Sequence, residues 1–189
     1  MMLQSEDGHG AKAGEAMTQA DLLNYFDAQG LSHATTSHPA LFTVAEGADM
    51  KAQMPGGHSK NLFLKAKNGP FFLVSAKDDT QIKLNRLHKV LGCDRLSFGS
   101  PELLFEILGV TPGSVTAFAL LNDPYQKVRF FLDAALWACD PINFHPLTNT
   151  ATTAMPRADF KRFLAKLNRP LMLLDFAGEG DPELVADHA

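Results

Sequence analysis

The feature that most constrains the fold of this chain is a pair of apolar segments joined by a turn signal. The first segment, SKNLFLKAK, alternates, with Leu62 and Leu64 on one face of a strand and Phe63 on the other. Asn68-Gly69 then precedes a second strand-like run, PFFLVSA. Because Asn-Gly between two such runs is typical of a two-residue hairpin loop, we predict an antiparallel hairpin closed by a type I′ turn.

Signals for the start of a helix occur twice before this hairpin. Thr18 with Asp21 approximates a capping box ahead of apolar residues at helical spacing, and this predicts a first helix. Thr43 and Glu46 repeat the signal, and the helix that they open should end before Pro55-Gly56-Gly57. We therefore expect two helices ahead of the hairpin, with a flexible glycine-containing break between the second helix and the first strand.

The rest of the chain mixes helices and strands without regular βαβ repetition. Apolar spacing predicts helices at residues 82–91, 101–108 and 157–167. Short strand-like runs lie at residues 115–121, 128–132, 142–145, 148–154 and 171–176. We therefore expect a single α+β domain with a mixed, mostly antiparallel sheet that curls toward a barrel, and with helices outside the sheet.

The two ends of the chain differ from this middle part. Residues 1–16 are small and polar without apolar periodicity, so we expect a disordered leader. The folded domain should span residues 17–176, followed by an acidic tail at 177–189. No stretch approaches the roughly 18 apolar residues of a membrane span, and the N-terminal residues lack the apolar run of a signal peptide. These features predict a cytoplasmic protein that does not enter a membrane.

The signatures of several common reaction classes are missing. The sequence has no GxSxG, no P-loop, no GxGxxG after a strand and no HExxH. Cys93 and Cys139 are isolated, and the histidines are scattered rather than placed at ligand spacing, so we expect neither a metal nor a cofactor. If the chain is an enzyme, its substrate should require little activation, because the sequence supplies no obvious nucleophile or metal. An activated ester meets that condition.

Basic residues are concentrated in one part of the chain. Between Lys60 and Arg95 there are eight basic and three acidic residues, although the whole chain carries a net charge of -4. Solvated faces of a strand and a helix would account for this distribution. A local phosphate-binding surface for a short stretch of nucleic acid is the alternative interpretation. Both interpretations stay open at this point.

Three segments of the chain resemble a known protein family. They are HSKNLFLK (residues 58–65), GVTPGSVTAFALLND (109–123) and NFHPLTNTATT (143–153). Together they resemble the YbaK and prolyl-tRNA synthetase editing-domain superfamily, and within it the stand-alone alanyl-tRNA(Pro) deacylases, ProXp-ala and PrdX. The resemblance covers about residues 18–176. It implies one α/β domain with a barrel-like sheet that hydrolyses the aminoacyl ester at the tRNA terminus without a metal or cofactor.

The resemblance implies roles for two adjacent residues of the first segment. Lys60 matches the lysine that contacts the terminal nucleotide, and a lysine ammonium is a compact charge that suits a phosphate oxygen. Asn61 is implied as a substrate ligand. Strand alternation sends its side chain to the opposite face from Lys60, however, unless a bulge intervenes.

The second and third segments supply the other site residues. Gly113 matches a glycine whose backbone helps to hold the substrate amino acid or the attacking water, and Ser114 follows it. The family pattern Gly-x-x-x-Pro ends here at Ala117, so alanine replaces the proline. His145 matches a histidine that borders the aminoacyl pocket, where a ring nitrogen can orient water. The resemblance thus implies three catalytic residues, Lys60, Gly113 and His145, and three that bind substrate, Asn61, Ser114 and Ala117.

The function that follows from the resemblance is removal of alanine wrongly esterified to the acceptor end of tRNA(Pro). A small pocket would admit alanine and exclude proline, which supplies the second sieve that binding alone does not provide. Since the family proline is missing, cysteinyl-tRNA and seryl-tRNA stay open as substrates. A module that binds aminoacyl-tRNA or other nucleic acid without turnover is a further alternative.

Overall fold

The computed structural model describes residues 16–40 and 52–187. The helices are α1 (Gln19–Ala28), α2 (Leu84–Val90), α3 (Pro101–Leu108), α4 (Ala134–Trp137) and α5 (Arg157–Lys166), with a 3₁₀ helix at Ala117–Asn122. The strands are β1 (Ala34–Ser37), β2 (Gly57–Ala66), β3 (Phe71–Lys77), β4 (Leu96–Phe98), β5 (Val128–Asp133), β6 (Ile142–Phe144), β7 (Ala151–Met155), β8 (Leu173–Asp175) and β9 (Glu183–Val185). Helices and strands therefore follow one another irregularly along the chain.

The described strands form one mixed sheet. Their order is β1-β7-β6-β2-β3-β5-β8-β9, and β4 pairs with β2. Three neighbouring pairs are parallel, namely β2 with β6, β3 with β5 and β5 with β8, and the other five pairs are antiparallel. The prediction of a single α+β domain with a mixed, mostly antiparallel sheet is confirmed.

Strand β2 is central because it pairs with three other strands. One edge pairs with β3 from Ser59 to Lys65. The other edge pairs with β6 at Gly57 and His58, and with β4 from Leu64 onward. Among the described strands, none pairs with this second edge at residues 59–62. The sheet is therefore open there, and we call this opening the β2 notch.

The hairpin formed by β2 and β3 is confirmed, but the prediction of a type I′ turn is wrong. Neither Asn68 nor Gly69 has the positive φ that this turn requires. A two-residue loop would be closed by an N–H at residue 70, and Pro70 has none. The Gly69 N–H instead donates to the Ala66 carbonyl at 3.5 Å, and the Ala66 N–H donates to the Pro70 carbonyl at 3.2 Å. Proline thus lengthens the loop.

The sheet packs apolar side chains on both of its faces. Phe63 belongs to a large buried cluster with residues of α1, α3, α5 and the 3₁₀ helix. Leu64 belongs to a second cluster that includes Leu87 of α2, and Leu62 packs against it. The predicted alternation along β2 is correct, and both faces of this strand are covered.

Capping residues place the helices where the sequence predicts them. The Thr18 side chain accepts from the Asp21 N–H at 3.2 Å, while the Thr18 N–H donates to Asp21 Oδ2 at 2.9 Å, which completes the capping box. Helix α3 begins after Ser100 and ends at Gly109, which has φ +65°. The helix predicted from Thr43 lies mostly outside the described residues.

The strand predicted at residues 115–121 is wrong, since this segment forms the 3₁₀ helix Ala117–Asn122. The hydroxyl of Thr116 accepts from the Phe118 N–H at 3.3 Å and caps it. All residues from Ala117 to Leu120 are buried. Because a fully buried helix and a fully buried strand are both apolar throughout, periodicity does not distinguish them.

The acidic C-terminal segment docks on the sheet as far as it is described. Strand β9 pairs antiparallel with β8. The Trp137 indole Nε1 donates to Asp187 Oδ1 at 3.0 Å. The domain bounds at 16 and 176 stay a prediction, although residues 183–185 are part of the sheet. No helix in the described part of the chain is long and apolar enough to cross a membrane.

Candidate active site

The register between β2 and β6 brings Lys60 and His145 to one face of the sheet. His58 pairs with Asn143 in a parallel arrangement, and paired residues point to the same face. Side chains alternate along a strand, so Lys60 lies on that face, and the same alternation carried one residue past the end of β6 at Phe144 places His145 there too. Both are half-buried. Two residues 85 positions apart in sequence therefore lie on the same side of the sheet, with Lys60 at the β2 notch.

The ammonium group of Lys60 is held by the loop that follows β3. Its Nζ donates to the Asp78 carbonyl at 3.1 Å and also to the Thr80 carbonyl. The Thr80 hydroxyl in turn donates to Asp133 Oδ2 at 2.5 Å. Since an ammonium has three N–H donors, two are used by carbonyls of the described residues and one is left for an oxygen of a ligand. The loop thus orients a charge-assisted donor.

Asn61 lies on the opposite face of β2 from Lys60. It pairs with Ser75, whose hydroxyl donates to Asn61 Oδ1 at 2.5 Å, and Asn61 Nδ2 donates to Ser59 Oγ at 3.2 Å. The pairing of β2 with β3 is continuous, so no bulge turns the side chain around. Asn61 and Lys60 do not converge in this structure. The role of Asn61 as a substrate ligand stays a prediction.

His145 directly follows β6, and its hydrogen bonding fixes which nitrogen carries the proton. Nδ1 lies 2.9 Å from the carbonyl oxygen of Ala151. A carbonyl only accepts, so Nδ1 carries the hydrogen, and in the neutral imidazole Nε2 is the acceptor nitrogen. That arrangement suits a group that takes a proton from water.

His38 is a neighbour of His145 that sequence reasoning missed. The two rings lie 6.2 Å apart between centroids. The Nδ1 of His38 is 2.9 Å from the Pro39 carbonyl, and its Nε2 is 3.0 Å from the Thr152 hydroxyl. Both histidines precede a proline, and this repeated His-Pro dipeptide is the one signal in the sequence that relates them.

Gly113 meets the loop that follows His145. It has φ +90°, and a Cβ placed on it would lie 3.8 Å from Asn149 Nδ2. A residue with a side chain would be strained at this φ, so glycine is required. The Ser114 N–H donates to the Thr111 carbonyl at 3.0 Å and is not available to a substrate. The loops at residues 113–117 and 146–150 are therefore neighbours, and Asn149 is a second residue that sequence reasoning missed.

Ala117, which replaces the family proline, does not line a surface. It is the first residue of the 3₁₀ helix and is completely buried in the large cluster. Direct contact between Ala117 and a substrate would require this helix to move. Ala117 can therefore act on a substrate only through the shape of the loop. Its assignment as a substrate-binding residue stays a prediction.

The sequence predicts a flexible break before β2. In the structure this break is closely packed. Gly56 has φ +96°, and a Cβ on it would lie 2.0 Å from the Pro141 carbonyl oxygen. The Gly57 N–H donates to the same oxygen at 3.0 Å. Asn143 Nδ2 donates to the Pro55 carbonyl at 2.9 Å. These contacts fix the start of β2 against β6, and thereby the position of Lys60 relative to His145.

Within residues 16–40 and 52–187, no three His, Cys, Asp or Glu side chains converge as a metal site. The chemistry of the described site thus consists of an ammonium, an imidazole and the backbone of a glycine loop. These groups can bind an anionic oxygen, move a proton and let a carbonyl group approach closely.

Comparison with known proteins shows the family to which the chain belongs. Residues 38–163 match the family model of the aminoacyl-tRNA editing domain, and the chain belongs to this family. It is 33% identical over 174 residues to prolyl-tRNA synthetase associated domain-containing protein 1 of Danio rerio, covering 91% of this chain and 94% of that protein. It is 30% identical over 135 residues to prolyl-tRNA editing protein ProX of Acetoanaerobium sticklandii, covering 71% of this chain and 82% of that protein.

A solved structure has the same fold. It is described as that of a candidate trans-editing enzyme for prolyl tRNA synthetase. The TM-score is 0.61 at 17% sequence identity, with 92% of this chain and 100% of that chain covered. The family assigned from the three sequence segments is therefore confirmed.

Proposed function

We propose that this chain hydrolyses the ester of mischarged alanyl-tRNA(Pro), releasing alanine from the 3′ end of the tRNA. The observation that carries this proposal is the placement of Lys60 and His145 on one face of the sheet, with Lys60 at the β2 notch. Membership in the editing-domain family supports the substrate class. The relative named as a prolyl-tRNA editing protein supports tRNA(Pro) as the nucleic acid.

The proposed reaction needs only water and the groups at this site. His145 Nε2 takes a proton from water as the water oxygen bonds to the ester carbonyl carbon. The tetrahedral adduct collapses when the bond from that carbon to the ribose oxygen breaks, and His145 returns the proton to this oxygen. The products are free alanine and a tRNA with a free terminal hydroxyl.

Lys60 and Gly113 position the substrate in this scheme. The remaining N–H of the Lys60 ammonium binds an oxygen of the terminal nucleotide, and the carbonyls of Asp78 and Thr80 keep the ammonium oriented. Gly113 is exposed and lacks a side chain, so the aminoacyl group can approach the loop backbone.

The amino acid is the part of the proposal that most needs testing. Purified protein at catalytic concentration is mixed with tRNA(Pro) carrying labelled alanine, serine, cysteine or proline, and release of the free amino acid is measured. We expect fastest release of alanine and slowest release of proline. Faster release of cysteine or serine would reassign the amino acid, and retention of every intact ester would contradict the hydrolase proposal and leave binding without turnover as the alternative to measure.

A further inference from the structure

Helix α2 carries a row of basic side chains on its outer side. Lys83 occupies the N-cap position of α2, and Arg86 and Lys89 follow at intervals of three, so the three lie along one side of the helix. Lys83 and Lys89 are exposed and Arg86 is half-buried. Leu87, on the inner side, is completely buried against the sheet. We call these three residues the α2 basic row.

The α2 basic row is on the same side of the sheet as Lys60. Helix α2 covers the cluster that contains Leu64, and Lys60 and Leu64 share a face because they are four residues apart on β2. Leu64 pairs with Phe72, and Phe72 pairs with Arg129 of β5. Arg129 therefore points to this same side, where it is exposed.

A groove at the far end of β2 joins these basic groups. Its volume is about 530 Å³, and its lining includes two cations, Lys89 and Arg129, one acid, Asp94, and the imidazole of His88. Cys93 also lines it, and burial, with the nearby Asp94 carboxylate, raises the pKa of the Cys93 thiol. The thiol therefore stays protonated at neutral pH and adds no negative charge. The groove is positively charged overall.

Oxygen atoms of residues 179–181 contact the α2 basic row. Lys89 Nζ is 2.9 Å from Asp181 Oδ2. Arg86 Nη1 donates to the carbonyls of Glu179 and Gly180, the latter at 2.9 Å. The segment from residue 178 to 187 contains four acids and no lysine or arginine. An acidic stretch thus already occupies this surface with the charge and the oxygen acceptors that a phosphate backbone would bring.

We propose that the α2 basic row and Arg129 form the surface on which the phosphates of the tRNA acceptor stem lie, and that residues 179–181 occupy part of it until RNA displaces them. This deepens the proposed function and rests on it for the identity of the RNA. From Lys60 to Ala66, which lines the groove, is about 20 Å along β2 at roughly 3.3 Å per residue. That length corresponds to about six nucleotide steps at roughly 3.4 Å each. When the terminal nucleotide lies at Lys60, the acceptor stem therefore lies over α2.

The test measures binding of tRNA(Pro) without an amino acid, because this readout needs no hydrolysis. The double variant Arg86→Ala/Lys89→Ala should lower affinity at least tenfold, and reduce the slope of log K against log salt by about two, since each lost phosphate contact removes roughly 0.9. The control is Lys127→Ala/Lys166→Ala, which removes the same charge from exposed positions outside the α2 basic row and the groove. It should bind like the wild type.

A third variant, Asp181→Asn, tests the role of the acidic segment. It frees Lys89 without removing a basic group, and should raise affinity about two- to fivefold, the equivalent of an exposed ion pair of roughly 0.5–1 kcal/mol. Unchanged affinity and salt slope in Arg86→Ala/Lys89→Ala, or equal losses in the control, would overturn the proposal. If these variants behave as expected but the wild type hydrolyses no ester, the RNA surface stands and the hydrolase proposal fails.

Discussion

At the scale of single residues, Lys60 is the side chain whose role is easiest to isolate. Lys60→Ala removes one charge-assisted hydrogen bond to the substrate, which is worth about 1.5–3 kcal/mol, so kcat/KM should fall by roughly ten- to hundredfold. The Lys60 side chain is only half-buried, so the melting temperature should change little. Deacylation of alanyl-tRNA(Pro) and thermal unfolding are measured together.

The matched control for Lys60 is Lys65→Ala. Lys65 is on the same strand and is also half-buried, but alternation places it on the opposite face. Its variant should keep wild-type deacylation. Near-wild-type turnover in folded Lys60→Ala would remove Lys60 from the site.

Ala117 allows the missing family proline to be restored. As the first residue of a helix, position 117 tolerates proline. Because proline restricts the unfolded chain, it would raise the free energy of unfolding by about 0.4–1 kcal/mol. The position is completely buried, however, and extra ring atoms in a packed core cost roughly 1–3 kcal/mol. We expect Ala117→Pro to fold with a free energy of unfolding about 1 kcal/mol lower.

The same variant tests how the loop selects the amino acid. Deacylation rates for alanyl, seryl and cysteinyl esters should show that alanine is still released and the other two are rejected more strongly, because the loop is stiffer. Loss of alanine release in folded Ala117→Pro would mean that this loop has a different geometry from the family, and the choice of alanine would then be abandoned first.

At the scale of elements, a buried ion pair joins the 3₁₀ helix to β5 and to the segment after α5. Arg169 Nη2 is 2.8 Å from Asp123 Oδ2, and Arg169 Nη1 donates to the Val128 carbonyl at 2.6 Å. The Asp123 carboxylate also accepts from the Val128 N–H at 2.9 Å. Arg169→Met leaves a buried carboxylate without its cation, and should lower the free energy of unfolding in urea by about 3–5 kcal/mol.

Arg162→Met is the comparison for Arg169. The Arg162 side chain is 54% exposed, and its partner Asp159 would keep the hydrogen bond from the Ser32 N–H, so the loss of Arg162 should cost less than the loss of the buried Arg169. Equal effects of the two substitutions would contradict the assignment of Asp123 with Arg169 as the pair that holds these elements together.

Asp159 makes the attachment of α5 sensitive to acid. Burial raises its pKa, but hydrogen bonds from Arg162 and from the Ser32 backbone outweigh this, so its pKa is lowered from the ordinary value of 3.8. A lowered pKa means that the carboxylate stabilises the fold above pH 3.8 and that this contribution is lost as the pH falls through the folded-state pKa. Asp159→Asn should therefore destabilise the protein at pH 6 and much less near pH 2, as measured by urea unfolding. A constant difference would exclude this linkage.

The elements that sequence predicted well are those with local signals. Thr18 and Ser100 cap their helices through contacts three residues away, and such contacts depend on nothing beyond the segment itself. The 3₁₀ helix after Thr116 was missed because its burial depends on the rest of the fold. The turn after Ala66 was misjudged because Pro70, two residues past Asn68, removes the N–H that would close it.

The candidate site divides in the same way. Lys60, Gly113 and His145 lie in segments with recognisable sequence, whereas His38 and Asn149 reach the site only through the pairing of β1 with β7 and the fold of a loop. Apart from the repeated His-Pro dipeptide, no local pattern points to those contacts. The face that each side chain occupies followed from alternation, and this correctly separated Asn61 from Lys60.

At the scale of the whole molecule, the folded unit should not depend on the N-terminal leader. The Met17 N–H is 3.3 Å from Asn122 Oδ1, so the described chain is attached from the start of α1. Residues 1–16, the predicted leader, are small and polar and lack apolar periodicity. Deleting them should shift the melting temperature by less than about 2 °C, as expected for changes within ±0.5 kcal/mol. A larger drop in a calorimetric scan would show that the leader packs on the domain.

Strand β2 helps to form both cores and also carries Lys60, whereas the loops at 113–117 and 146–150 adjoin at Gly113 and Asn149. A library aimed at a new amino acid should randomise loop positions such as 114, 115 and 147–149 and leave residues 57–66 untouched, because variation in the loops can change selectivity while the shared strand keeps the protein foldable.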